Sequence, residues 1–210
     1  MLVVNSFKKN KDMREQKDLN TLFFIPDING FKKFVNETEI KHSRLVITKL
    51  LENIIDSNRI NLEVAEVEGD AVFFYRFGRE PTLVEITEQA KIVYSGFHSV
   101  LKDHELYRVC ECDACKSAKD LKLKIVVHYG IAQVYKVKDF IRLIGKDVIT
   151  VHLLLKNNVP LDEYILITEN LGSLLKTENN NEWLNLINGE DIYDEIGKVS
   201  YKFYGLRQLV

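Results

Sequence analysis

Two aspartates frame the chemistry that this sequence could perform. Asp27 closes the apolar run "LFFIPD" and is followed by Ile28-Asn29-Gly30-Phe31; Asp70 follows a glycine in "VEGDAVFFY". A carboxylate exposed at the end of an apolar strand, beside a glycine that leaves the backbone bare, suits a cation held against a phosphate. Two such carboxylates can bridge one or two Mg²⁺ or Mn²⁺ ions, and paired ions about 3.5–4 Å apart clamp both oxygens of a phosphoryl transfer. Mg²⁺ needs only one or two protein carboxylates beside the substrate phosphates. The backbone of Asn29, Gly30 and Phe31 leads into an expected helix, whose first N–H groups and dipole favour a phosphate. The alternative is local: Asp27 as a helix N-cap and Asp70 as a turn residue.

The three cysteines lie together in "CECDAC", at Cys110, Cys112 and Cys115. In a reducing compartment such a cluster points to metal or redox chemistry more than to a disulfide framework. Three thiolates could hold a tetrahedral Zn²⁺, with His98 or His104 as fourth ligand. We read this as a structural staple between the second helix and the next strand; reduced cysteines capping a loop are the alternative.

These residues must be positioned by regular elements. Thr21–Ile28 reads as a strand covered on both faces, and a helix is expected from Gly30 to about Ser57. Leu62, Val64 and Val67 mark one hairpin arm, Glu68-Gly69-Asp70 its turn and Ala71–Phe77 the other arm. Pro81 opens a second helix with a 3.6-residue apolar beat. "LKLKIVVHYG" is then a strand and "IAQVYKV" its hairpin partner. Strand, helix, hairpin, helix, strand is the split βαβ order of an α+β, ferredoxin-like, palm-like sheet with helices on one face. In that topology the third strand runs antiparallel beside the first, so Asp70 is expected next to Asp27.

A chain of 210 residues, 46% hydrophobic and with net charge −2, can bury one core. That balance excludes nucleic-acid binding by bulk charge, and also general disorder. No apolar run reaches the length of a bilayer span, and the start does not read as a signal peptide, so a cytoplasmic protein is expected. Residues 1–18 are read as a loosely ordered arm, 19–210 as a single domain with a cysteine loop at 108–118, and "ENNNE" at 178–182 as a surface loop.

From about Leu22 to Thr168 the chain resembles the catalytic domain of the class III adenylyl and guanylyl cyclases. Asp27-Ile28-Asn29-Gly30-Phe31 matches the family's first metal block, with Lys32 where threonine is usual. Gly69-Asp70 matches the second metal aspartate, His128-Tyr129-Gly130 the His-any-Gly strand end, and Gly145-Lys146-Asp147-Val148 the start of the dimer-face helix. The cysteine cluster lies outside the general family pattern; joined to "GDAVFFYR" it resembles an uncharacterised bacterial branch of cyclase-like proteins.

The resemblance implies a metal-dependent conversion of a nucleoside triphosphate to a 3′,5′-cyclic nucleotide plus pyrophosphate. Asp27, Asp70 and the Ile28 main chain would be the metal ligands, in a head-to-tail homodimer or a heterodimer. It implies base recognition at Glu66 and Arg142. A carboxylate at Glu66 accepts from guanine N–H groups, whereas Arg142 matches neither the acidic nor the cysteine option of the family. Two departures bear on turnover: the family's asparagine and transition-state arginine are replaced by Ile149 and Leu153. The alternative is therefore a degenerate homologue that binds nucleotide and metal as a regulatory or heterodimer module. A dinucleotide-forming synthase on the same type of sheet is a third reading, disfavoured by the lack of a GG(D/E)EF-type motif.

Overall fold

The protein is described by a computed structural model covering residues 17–36, 39–171 and 185–210. The expected arm therefore lies outside the described residues, apart from Lys17 and Asp18, as does the "ENNNE" stretch. Strand β1 (Leu19–Asn29) is central, paired antiparallel with both β3 (Ala71–Phe77) and β4 (Lys122–Val137). Successive side chains point to opposite faces of a strand, so a strand apolar at every position needs cover on both. Leu22, Phe24 and Ile28 enter one core, while Phe23 and Ile25 enter a second on the other face.

The hairpin partner of β3 is β2 (Glu63–Glu68), an edge strand, half-exposed and bulged between Val64 and Glu66. On the far side lie β6 (Tyr164–Thr168), β8 (Gly197–Gly205) and β7 (Ile187–Tyr193), giving the order β2-β3-β1-β4-β6-β8-β7. The first half of this order is the ferredoxin-like arrangement expected from the sequence.

Helices α2 (Ile40–Asp56) and α3 (Leu83–Tyr107) cover the first core. The α3 stripe Leu83, Ile86, Ala90, Val93, Phe97 and Leu101 is buried. Each of its large members contributes about 1.5–3 kcal/mol on burial. Pro81 stands just before the N-cap, Thr82, whose side chain accepts from the Glu85 N–H. Such a cap contributes about 1 kcal/mol.

Four features differ from the sequence expectations. The helix after Gly30 is two helices: α1 (Phe31–Asn36) is short, and Glu39, extended at ψ 127°, starts α2 afresh. "KLKIVVHYGIAQVYKV" is one sixteen-residue strand, β4; its hairpin partner is β5 (Phe140–Ile144), joined through Lys138 in the left-handed region. Gly130 does not turn the chain but makes room beside it. Helix α5 (Lys146–Leu154) packs its Val151 on the face opposite α2 and α3, against Phe23 and Ile25, so helical cover is not confined to one face. Asp27 is not exposed at a strand end: β1 runs two residues further and the side chain is buried.

Candidate functional site

The β1–β3 register sets Asp27 opposite Ala71, and the Ile28 N–H donates to the Asp70 carbonyl at 3.0 Å. Gly69, at φ +60°, is the first residue of the two-residue turn, a position that favours glycine. Its conformation puts Asp70 at the mouth of the hairpin, lining the same cavity as Asp27. Burial, then the Asp27 charge, pushes the Asp70 carboxyl up to about 6. Burial also raises Asp27, against the opposing pull of Lys124. Burial thus disfavours the charged form of both carboxyls.

Lys124, opposite Asp27 on β4, places its Nζ 3.1 Å from Asp27 Oδ2 and donates to the Leu155 carbonyl at 2.8 Å. It was not singled out by sequence reasoning. Alternation in "LKLKIVV" puts it on the Asp27 face, but only the strand register makes them partners. A cavity of about 470 Å³ opens over this group, lined by Asp27, Gly30, Lys32, Asp70, Lys124 and Lys156 among others. Gly30, at φ +90°, turns the chain out of β1, and its carbonyl accepts the first bond of α1 from Phe34. Because α1 has only six residues, its dipole is weaker than that of the long helix expected, and the positive field comes from lysines. Asn29 stays within β1, its amide donating to the Asp162 carbonyl. The Ile28 side chain is fully buried, which leaves only its main chain for a ligand.

The His-any-Gly and Gly-x-x-Val blocks meet in a buried clasp. His128 bonds Thr168 Oγ1 through Nδ1 at 2.7 Å and lies 3.1 Å from Asp147 through Nε2. Asp147 also accepts the Ile131 N–H at 2.6 Å. Burial pushes the Asp147 carboxyl up, but the bonds from His128 and Ile131 outweigh it and hold the group low. A Cβ on Gly130 would stand 2.3 Å from the Asp147 carboxylate. Gly130→Ala is therefore expected to destabilise the fold by about 2 kcal/mol through overpacking. Chemical denaturation of the purified variant measures this.

The two expected base-reading residues do come together: Arg142 on β5 donates to Glu66 on β2 at 2.7 Å. Of the two departures on α5, Ile149 is half exposed and Leu153 partly buried. His152 stacks on Phe73 at 4.7 Å, and Asn157 is engaged by Tyr164, Val159 and Leu154. Lys156, just beyond the end of α5, lines the carboxylate cavity.

The cysteine cluster does not recruit the expected histidines. His98 bonds Glu163 at 2.7 Å, and His104 is not among the ligand atoms that converge. Instead, His42, from the first turn of α2, brings its Nδ1 to 3.0 Å from Cys112 Sγ, 3.4 Å from Cys110 and 3.7 Å from Cys115. Nothing in local spacing signals a partner 68 residues before Cys110.

Comparisons with known proteins give the fold a context. A bacterial light-regulated adenylyl cyclase superposes with TM-score 0.62 at 15% identity, covering 92% of this chain and all of that one. The guanylyl cyclase Cya2 gives 0.61 at 11% identity over 90% and 93% of the two chains. The adenylyl cyclase CyaB from P. aeruginosa gives 0.56 at 14% identity over 89% and 94%. At these identities the likeness concerns the fold, which is that of class III cyclase catalytic domains. In sequence, the uncharacterized protein Rv2561/Rv2562 of Mycobacterium tuberculosis (strain ATCC 25618 / H37Rv) is 35% identical over 133 residues, 61% of this chain and 60% of that protein. Residues 47–164, which include Asp70, the three cysteines, His128 and Asp147, match the family described as protein of unknown function (DUF2652), and the chain belongs to that family.

Proposed function

We propose that the chain binds a nucleoside triphosphate with Mg²⁺ or Mn²⁺ and converts it to a 3′,5′-cyclic nucleotide and pyrophosphate. The observation that carries this reading is the convergence of Asp27 and Asp70 beneath a cavity rimmed by lysines. Two hard carboxylate groups at one cavity fit a divalent cation, and the Ile28 carbonyl would be a further oxygen donor. When bound, the cation supplies charge neutralisation at the phosphates and lowers the pKa of the attacking hydroxyl. Lys32, Lys124 and Lys156, with backbone N–H groups at Asn29, Gly30 and Phe31, hold the phosphate chain. The ribose 3′-hydroxyl would lose its proton to solvent and its oxygen bond to the α-phosphorus as the bond to the departing diphosphate breaks.

Glu66 and Arg142 face the base as a pair of opposite charges, one accepting and one donating. Neither is free to read a guanine edge without reorganising the other, which tempers the guanine preference suggested by Glu66 alone. Exposed ion pairs of this kind contribute under about 1 kcal/mol, so Glu66→Gln is expected to leave the melting temperature nearly unchanged. It should alter discrimination among nucleotides, read by competition binding with the four NTPs. A dimer is supported by exposed Ile131, Phe140, Ile141, Ile144 and Ile149, contributed by β4, β5 and α5.

A second reading rests on a specific observation: Ile149 and Leu153 present no hydrogen-bond donor on α5. In this reading the chain binds nucleotide and metal without turnover, as a regulatory module or half of a heterodimer. Incubation with each NTP and Mn²⁺, followed by mass spectrometry, decides between the two. A cyclic product supports the enzyme; metal-dependent binding without product supports the module; neither overturns both.

A further inference from the structure

We propose that His42, Cys110, Cys112 and Cys115 bind one structural Zn²⁺ ion, which clamps the start of α2 to the loop after α3 and fixes the ledge beneath Gly30. The four ligand atoms lie within 4.8 Å of one another. A tetrahedral zinc with bonds of about 2.3 Å to sulfur and 2.0–2.1 Å to nitrogen holds N and S about 3.6 Å apart. The observed Nδ1–Sγ separations, 3.0, 3.4 and 3.7 Å, bracket that value. Three sulfurs and one imidazole nitrogen form a closed, soft donor set of the kind that selects zinc over Mg²⁺ or Ca²⁺. A disulfide would use two of the sulfurs and strand the third beside the imidazole.

The local backbone is organised around the sulfurs. Arg108 ends α3 and donates to the Cys110 carbonyl at 3.2 Å. The Cys112 N–H points at Cys110 Sγ at 3.5 Å, and the Cys112 carbonyl accepts from Lys116 to open the short helix α4 (Asp113–Ser117). Cys115 is buried and Cys112 packs against the edge of the main core, as does Phe31 of α1.

From Cys115 the chain reaches the carboxylate site in a few residues. Ala118 and Leu121 are buried. A Cβ on Gly30 would meet the Leu121 side chain at 3.8 Å and the Asp120 carbonyl at 4.0 Å. The ion would thus stand behind the phosphate turn as its support, distinct in ligands and position from the Asp27–Asp70 pair. The inference does not depend on the nucleotide reading.

The test is metal analysis of the reduced, full-length protein. About one equivalent of zinc per chain is expected to survive dialysis. His42→Ala and Cys112→Ser should each weaken zinc binding by more than about 100-fold, beyond the 10–100-fold typical of losing an outer-shell partner. His42→Cys should restore retention, and His98→Ala should keep the metal, because His98 is engaged with Glu163. Cobalt exchanged into the wild type should show tetrahedral d–d bands and a thiolate charge-transfer band, a readout available even if the His42 variant fails to fold. Asp27→Ala with Asp70→Ala should retain the zinc whether or not the nucleotide site functions. A reduced protein that takes up no zinc, an octahedral cobalt spectrum, or undiminished zinc affinity in a folded His42→Ala would overturn the assignment.

Discussion

Asp27→Ala is expected to abolish Mn²⁺-dependent nucleotide conversion, lowering it by at least about 10²–10³, the loss typical of removing one preorganised electrostatic contact. Asp70→Asn should do the same for activity but act oppositely on stability. The Asp70 carboxyl titrates at about 6 in the folded chain, against 3.8 ordinarily, because burial and Asp27 oppose its charge. Its folded state therefore holds the proton more tightly than the unfolded state does. The stabilisation this gives is complete below about pH 4 and is lost as pH rises through 6. Without divalent metal at pH 7.5, Asp70→Asn should melt higher than wild type by about 3 °C, equivalent to roughly 1 kcal/mol after allowing for solvent screening at this half-buried group. Added Mn²⁺ should raise the wild-type Tm at pH 7.5 and much less at pH 5, where protons compete for the same oxygens. Differential scanning calorimetry at both pH values measures this. A wild-type Tm insensitive to Mn²⁺ at pH 7.5 would count against the site.

The second large effect is a gain. Restoring the amide and the guanidinium together, as Ile149→Asn with Leu153→Arg, is expected to raise turnover by at least about 10². The half-exposed Ile149 can accept asparagine at little cost to folding, and Leu153 is only partly buried, so an arginine stem can lie along the helix and leave its head free to reach a bound nucleotide. The comparison is of kcat in the double variant and in wild type under the same Mn²⁺ and NTP. If the variant folds and the rate stays flat, the missing donors are not what limits this chain.

Much of this was legible in the residues. Continuous apolarity from Leu22 to Ile25 gave away a strand covered on both sides, and the hairpin around Gly69 told which strand would lie beside it. Topology then brought Asp27 and Asp70 together. What sequence could not carry was pairing between elements. Lys124 meets Asp27 through strand register, and His42 meets the cysteines through packing of α2 on the loop after α3. The helix break at Glu39 was missed because no proline or glycine marks it. Gly130 was misread as a strand end because glycine serves turns and close approaches alike; here Asp147 fills the space a methyl would take.

The uninterrupted run of β4 has a mechanical consequence. Lys124 near one end is paired with Asp27, and the other end forms an arm with β5, whose Phe140 and Ile141 face solvent. Some 40 Å of extended chain joins the two, at about 3.3 Å per residue, changing partner from β1 to β5 after Ala132. A molecule gripping the arm would pull on the same strand that carries the lysine, so a load at the arm would be felt at the acidic centre.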